Sequence, residues 1–197
     1  MLTLHFVLYS LIVLTAPNTA APSVTEKPAK TTTTPIPAGQ EHQLKLGSIH
    51  FLATTNLGPV KVHGEAQKLN GTVQINQGQA TALQFTIPVE SLNSGMNFRD
   101  KDMRKDVFRT KDGKLPALQF HSDQIQCQKA GDGYDCQVSG QFAIQARPAE
   151  IHFKMHMNKE TLSGQTKIKL SAYSIEDPSR LGVTVNDGVQ IDFKVKY

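Results

Sequence analysis

From Val189 to Tyr197 the chain alternates apolar and polar residues without a break: Val189, Ile191, Phe193, Val195 and Tyr197 against Gln190, Asp192, Lys194 and Lys196. Successive side chains of an extended strand point to opposite faces, so a period of two specifies a strand with one dry and one wet face. The pattern recurs in Ile151, Phe153, Met155 and Met157 against His152, Lys154, His156 and Asn158, and in Leu83, Phe85 and Ile87 against Gln84 and Thr86. It is weaker around Leu118 and Phe120, Phe142 and Ile144, Ile168 and Leu170. Turn signals fall between these runs at Asn70-Gly71, Asn76-Gln77-Gly78, Gly131-Asp132-Gly133, Asn158-Lys159-Glu160, Asp177-Pro178 and Asn186-Asp187-Gly188. Dry faces must be covered by other dry faces, which leaves an up-and-down barrel or a sandwich of about eight strands in one domain.

One stretch, Ser91 to Phe108, departs from the period of two. Met96, Met103 and Val107 share one side of a helical wheel, while Asp100 with Arg104 and Asp102 with Lys105 have the spacing of ion pairs along a helix. This predicts a short amphipathic helix inserted between strands, lying across one end of the barrel with its Met and Val side chains over the opening.

The N-terminal residues are not barrel material. An uncharged apolar run from Met1 to Leu14 leads to Pro17 and the small residues Thr19, Ala20 and Ala21, the shape of a secretory signal over residues 1–20. No Lys or Arg precedes the run, which keeps an uncleaved anchor open as the alternative. Residues 21–40, with Thr31 to Thr34 and Pro35-Ile36-Pro37, read as a Thr/Pro-rich flexible tether that contributes nothing to folding, and residues 41–197 as the folded domain. A net charge of +4, with Lys and Arg interleaved with acids, gives no basic block for nucleic acid, and the mature chain has no transmembrane segment.

Cys127 and Cys136 are the whole thiol inventory and flank Gly131-Asp132-Gly133. Pairing two strands about that turn puts the cysteines opposite one another, close enough for a disulfide, which suits an exported protein. Two free buried thiols are the alternative.

Several stretches resemble the YceI family. They are Ser48-Ile49-His50-Phe51; Ser91-Leu92-Asn93-Ser94-Gly95, with Arg99-Asp100, Met103 and Phe108; Leu115-Pro116-Ala117-Leu118-Gln119-Phe120-His121-Ser122; Gly140-Gln141-Phe142-Ala143-Ile144; and Ser179-Arg180-Leu181-Gly182-Val183 with Asp187-Gly188-Val189. In this chain Ala146 stands where the family usually has a second Gly after the middle strand motif. The resemblance implies an all-β, extended lipocalin-like antiparallel barrel, exported to a periplasm or beyond the cell. It further implies an apolar interior that carries a polyisoprenoid or an isoprenoid quinone as a bound lipid, with no other cofactor. A homodimer stays open.

On that reading Phe51, Phe85, Ile87, Met103, Phe120, Phe142, Phe153, Met155 and Phe193 are the candidate ligand-binding side chains, and His50, Arg99 and Asp100 serve the barrel end or a polar headgroup. Alternation alone does not distinguish a hollow barrel from one filled by these same side chains. Ala143 and Ala172 are the small residues at which an inward wall position would be enlarged. His152 and His156 would meet only on a helix; on a strand they stand about 13 Å apart on the wet face, so no metal site is predicted. The chain carries no nucleophile elbow, P-loop or dinucleotide fingerprint, and a binding protein is favoured over an enzyme. A small-molecule enzyme on the same barrel and a surface interaction module with a filled barrel remain as alternatives.

Overall fold

The computed structural model describes residues 39–197 except 177 and 181. The predicted signal and nearly all of the tether lie outside the described residues, as does Asp177 of one turn signal. Twelve strands, β1 (Gln40–Gln43), β2 (Lys45–Thr55), β3 (Lys61–Ala66), β4 (Asn70–Asn76), β5 (Gln79–Ile87), β6 (Leu92–Asn93), β7 (Leu118–Ala130), β8 (Gly133–Ile144), β9 (Arg147–Met157), β10 (Thr161–Lys169), β11 (Ser179–Arg180) and β12 (Val183–Lys196), form one antiparallel sheet. Its order is β1-β4-β5-β7-β8-β9-β10-β12-β2-β3-β6, with β11 paired to β12.

The excess over about eight strands comes from kinks in long strands. Gln43 pairs with Thr72 in the β1–β4 ladder and His50 with Glu65 in the β2–β3 ladder, so both ladders share one register along the same two stretches of chain. Between them Leu44 donates its N–H to the Gly71 carbonyl at 2.8 Å. β1 with β2 is thus one kinked strand, and β3 with β4 is its hairpin partner. The first strand also pairs with β12 and the second with β5, so the chain itself joins the two ends of the sheet. The result is a staggered barrel of eight long strands.

The turns at residues 77–78 and 131–132 and at 158–160 lie at one end of the barrel, the closed end. The connections 56–60, 88–117, 145–146 and 170–182 lie at the other, the mouth. Gln77 and Gly78 both have positive φ (51° and 79°), the geometry of a two-residue hairpin turn, and Asn158 Oδ1 accepts from the N–H groups of Glu160 and Thr161 at 3.0 and 2.9 Å. Two turn signals are corrected. Asn70-Gly71 is the start of β4, where Asn70 faces Thr86 and Gly71 faces Phe85. Asn186 to Gly188 is an irregularity inside β12, between the pairs Val185–Thr55 and Val189–Ala53, because Asp187 turns aside to bind Ser171. A turn without Gly at Gln145-Ala146, with φ of 53° and 59°, went unsignalled.

Cys127 faces Cys136 across the β7–β8 ladder and the two are joined by a disulfide, with Cα atoms 4.0 Å apart. The bridge sits near the closed end, among the buried side chains of Val73, Ala80, Met155 and Met157.

The inserted segment is helical over α1 (Asn97–Met103) and continues as a wider turn through Arg104–Phe108. Asp100 and Arg104 take partners outside the helix. Asp100 is buried and accepts the Ser94 N–H at 2.8 Å, while Arg104 Nη2 donates to the carbonyls of Glu90 and Leu92 at 3.2 and 3.0 Å. Glu90 lies in the turn after β5 and Leu92 in the two-residue strand β6, and the guanidinium binds this stretch to the helix by charge-assisted hydrogen bonds. Met96 precedes α1 and is 44% exposed, so it does not cover the opening with Met103 and Val107; Phe98 stands at the mouth instead.

Candidate functional site: an apolar bore

Inside the barrel lies a cavity of about 550 Å³. Its polar lining residues are Thr55, Arg99, Asp102, Asp106, Thr166 and Ser179, and Arg99, Asp102 and Asp106 all belong to the helical segment at the mouth. Below them the wall is almost entirely aliphatic and aromatic. The bore reaches Leu44, Leu162 and Val195 and ends at the packed residues above the disulfide.

The phenylalanines leave room because of what they face. Phe51 on β2 lies opposite Gly64 on β3, so close that a Cβ built on Gly64 would meet the ring at 2.1 Å. The ring therefore rests flat over bare backbone. Phe120 and Phe193 similarly cover Gly140 and Gly164, where an added Cβ would meet their rings at 2.7 and 2.9 Å. Phe85, Phe120, Phe153 and Phe193 form a continuous aromatic surface, with successive ring centroids 5.1, 5.6 and 5.7 Å apart. Rings packed against the wall and one another line the bore without filling it.

The mouth is held by hydrogen bonds from the loops. Gln145 Nε2 donates to the Val107 carbonyl at 2.7 Å and ties the end of the helical segment to the β8–β9 turn. Arg147 Nη1 donates to the carbonyls of Tyr173 and Ser174 at 3.0 and 3.3 Å. The Ser171 N–H, with help from its hydroxyl, holds the Asp187 carboxyl below the usual carboxylate range. Tyr173 is buried edge-on to Phe142, its hydroxyl has no hydrogen-bond partner, and burial pushes its pKa up to about 12.

Of the residues singled out from sequence, Phe51, Phe85, Ile87, Met103, Phe120, Phe142, Phe153 and Phe193 line the cavity. Met155 points inward but is packed beneath it, opposite Cys136. Arg99 lines the mouth. Asp100 does not; it fastens the loop before α1. His50 is exposed on the outer face of β2 and borders a shallow polar concavity of about 760 Å³ with Gln126, Gln137, Lys154 and Asp192. A residue next to inward-facing Phe51 on a strand has no route to the interior. Ala143 is likewise on the outer face, between inward Phe142 and Ile144, and Ala172 is exposed in the turn after β10.

The missed wall residues include Leu44, Val60, Val62, Leu69, Phe98, Val183 and Val185. The alternation of Val183 and Val185 about Thr184 carried a signal; loop residue Val60 carried none. Among the described residues no cluster of three or more His, Cys, Asp or Glu side chains could hold a metal ion, and no helix is long and apolar enough to cross a membrane. Ser139 Oγ lies 2.9 Å from His152 Nδ1, and Glu150 lies 3.8 Å from the other ring nitrogen, but these three stand on the outer wall outside both cavities.

The same fold occurs in solved proteins. BcnA of Burkholderia cenocepacia superposes with a TM-score of 0.62 at 20% identity, over 76% of this chain and 95% of its own. A polyisoprenoid binding domain from Saccharophagus degradans, implicated in plant cell wall breakdown, gives 0.60 at 17% identity, over 79% and 96%. The YCEI protein of Campylobacter jejuni gives 0.56 at 17% identity, over 69% and 84%. No curated protein matches the chain. The model of the YceI-like domain matches residues 41–197. Carrying that domain over the whole of its barrel, the chain belongs to the YceI-like family.

Proposed function

We propose that this protein is an exported carrier that holds the hydrocarbon tail of an isoprenoid lipid or quinone in its bore. The observation that carries the reading is the apolar cavity of about 550 Å³, open at the mouth, whose ionisable lining residues are confined to that mouth. A ligand with one polar end and a long saturated or prenyl tail matches that distribution. The Saccharophagus degradans relative described as a polyisoprenoid binding domain shares the fold. The disulfide and the signal-like N-terminus support export.

Size narrows the ligand. A dry cavity of roughly 150 Å³ takes one benzene, so this bore accommodates on the order of twenty carbons, or about four isoprene units. Each buried methylene contributes about 0.8 kcal/mol before the cost of ordering the chain. Affinity for prenyl alcohols of increasing length should therefore rise steeply up to about four units and level off beyond, where extra units remain outside the mouth. Calorimetric titration of the lipid-stripped protein across that series, with mass spectrometry of the organic extract of the native protein, tests the reading. No prenyl lipid in the extract and no length dependence would overturn it. The enzyme reading is weaker, because the bore wall below the mouth offers no acid–base pair among the described residues.

A further inference from the structure

Among the described residues the exposed large apolar side chains are Leu57 (47%), Val60 (40%), Met96 (44%) and Phe98 (60%), and all four belong to the two mouth segments that flank β3. Val60 and Phe98 also line the bore, so the exposed patch and the cavity wall are one continuous apolar surface. The patch is held in place rather than collapsed inward. Asn56 and Thr184 exchange hydrogen bonds at 2.9 and 2.8 Å, and Thr55 Oγ1 donates to the Val60 carbonyl at 2.8 Å. On the other side, Asp100 and Arg104 fasten the stretch before Met96 to the helical segment that carries Phe98. Lys61, Lys101 and Lys105 are exposed beside these residues; the neighbouring carboxylate of Asp106 lies 4.0 Å from Lys105.

We propose that the mouth docks on a lipid bilayer, with Leu57, Val60, Met96 and Phe98 entering the headgroup region and the lysines resting against anionic lipid. An apolar chain then passes between bilayer and bore over Val60 and Phe98 without crossing water. A bilayer suits this patch better than a protein partner because the patch opens into the cavity, and a partner seated there would stopper the bore. Amphipathic surfaces of this kind bind membranes through buried apolar area together with attraction of cations to anionic lipid. The inference rests on the carrier reading, since only a membrane-borne ligand requires such a landing.

The test is flotation of the full protein with vesicles of phosphatidylcholine and phosphatidylglycerol. The L57S/M96S variant is compared with the wild type; both side chains are exposed and neither lines the bore. The wild type should float, and the variant should bind vesicles about tenfold more weakly or worse, as expected for losing the burial of two apolar side chains. Transfer of a fluorescent prenyl lipid out of vesicles should slow in step, while binding of a short, water-dispersed geranyl probe stays unchanged. The K101E/K105E variant should lose binding to anionic vesicles in particular. A wild type that stays in the soluble fraction overturns the proposal, as does an L57S/M96S variant that floats equally well. So does a dimer that depends on Leu57 and Met96 and leaves vesicles untouched, since the patch would then join copies of the chain. If the wild type floats but takes up no geranyl probe, docking stands and the carrier reading fails.

Discussion

Ala146 adopts φ of 59° beside Gln145 at 53°, both left-handed, where the turn from β8 to β9 admits only two residues. A Cβ in that conformation crowds the following carbonyl at a cost of roughly 1–2 kcal/mol, and Gly avoids it. Gly is also freer in the unfolded chain, which offsets part of the gain. The A146G variant should be more stable by about 0.5–1 kcal/mol, seen as a higher urea midpoint at unchanged slope. A lower midpoint would show that the methyl group is packed in some needed way. Gln145 is the wrong position for the same change, since its side chain holds Val107.

The strand pair β2–β3 sets the width of the bore, because Phe51 can lie flat only while Gly64 has no side chain. A Cβ at Gly64 would have only the Phe51 ring as its three nearest neighbours, whereas at Gly140 and Gly164 a backbone carbonyl is also in the way. G64A should therefore push the ring off the wall and into the cavity while sparing the ladder. The length at which prenyl affinity levels off should shorten by about one isoprene unit, and F51L in the same chain should restore it. A loss of melting temperature without any change in chain-length preference would show that Phe51 belongs to the core and not to the bore.

At the scale of the whole barrel, burial of tyrosines at both ends sets an alkaline limit. Tyr173 near the mouth is pushed up to about 12, and Tyr197, whose hydroxyl donates to the Asn158 carbonyl at the closed end, is also raised by burial. The unfolded chain gives up these protons near 10.0, so the folded state holds more protons above that pH. The contribution of Tyr173 to stability is complete below pH 10 and is lost as pH rises through 12. Y173F forfeits no hydrogen bond, because that hydroxyl has no partner, and it should flatten the decline in melting temperature over this range while leaving the value at neutral pH unchanged or higher. An identical alkaline decline in the variant would place its cause elsewhere.

The alternation of Val189 to Tyr197 and of Ile151 to Met157 was enough to fix strands, their dry faces and a single all-β domain, because side-chain direction along a strand is local geometry. The Cys127–Cys136 bridge was legible for the same reason, the turn between them setting their register. Met155 and His50 show where such reasoning stops: one shares the dry face but lies below the bore, and the other is next to a wall residue yet faces out. Arg104 spends its charge on two carbonyls outside the helix, a choice made by a stretch of chain the helix meets only in the fold. Hollowness, too, was decided only in three dimensions. Whether a phenylalanine spans a barrel or lies along its wall depends on the residue across the ladder, and Phe193 meets Gly164 from the far side of a turn, a mouth loop and an irregularity in β12. No periodicity within a strand records that partner; the register between strands does.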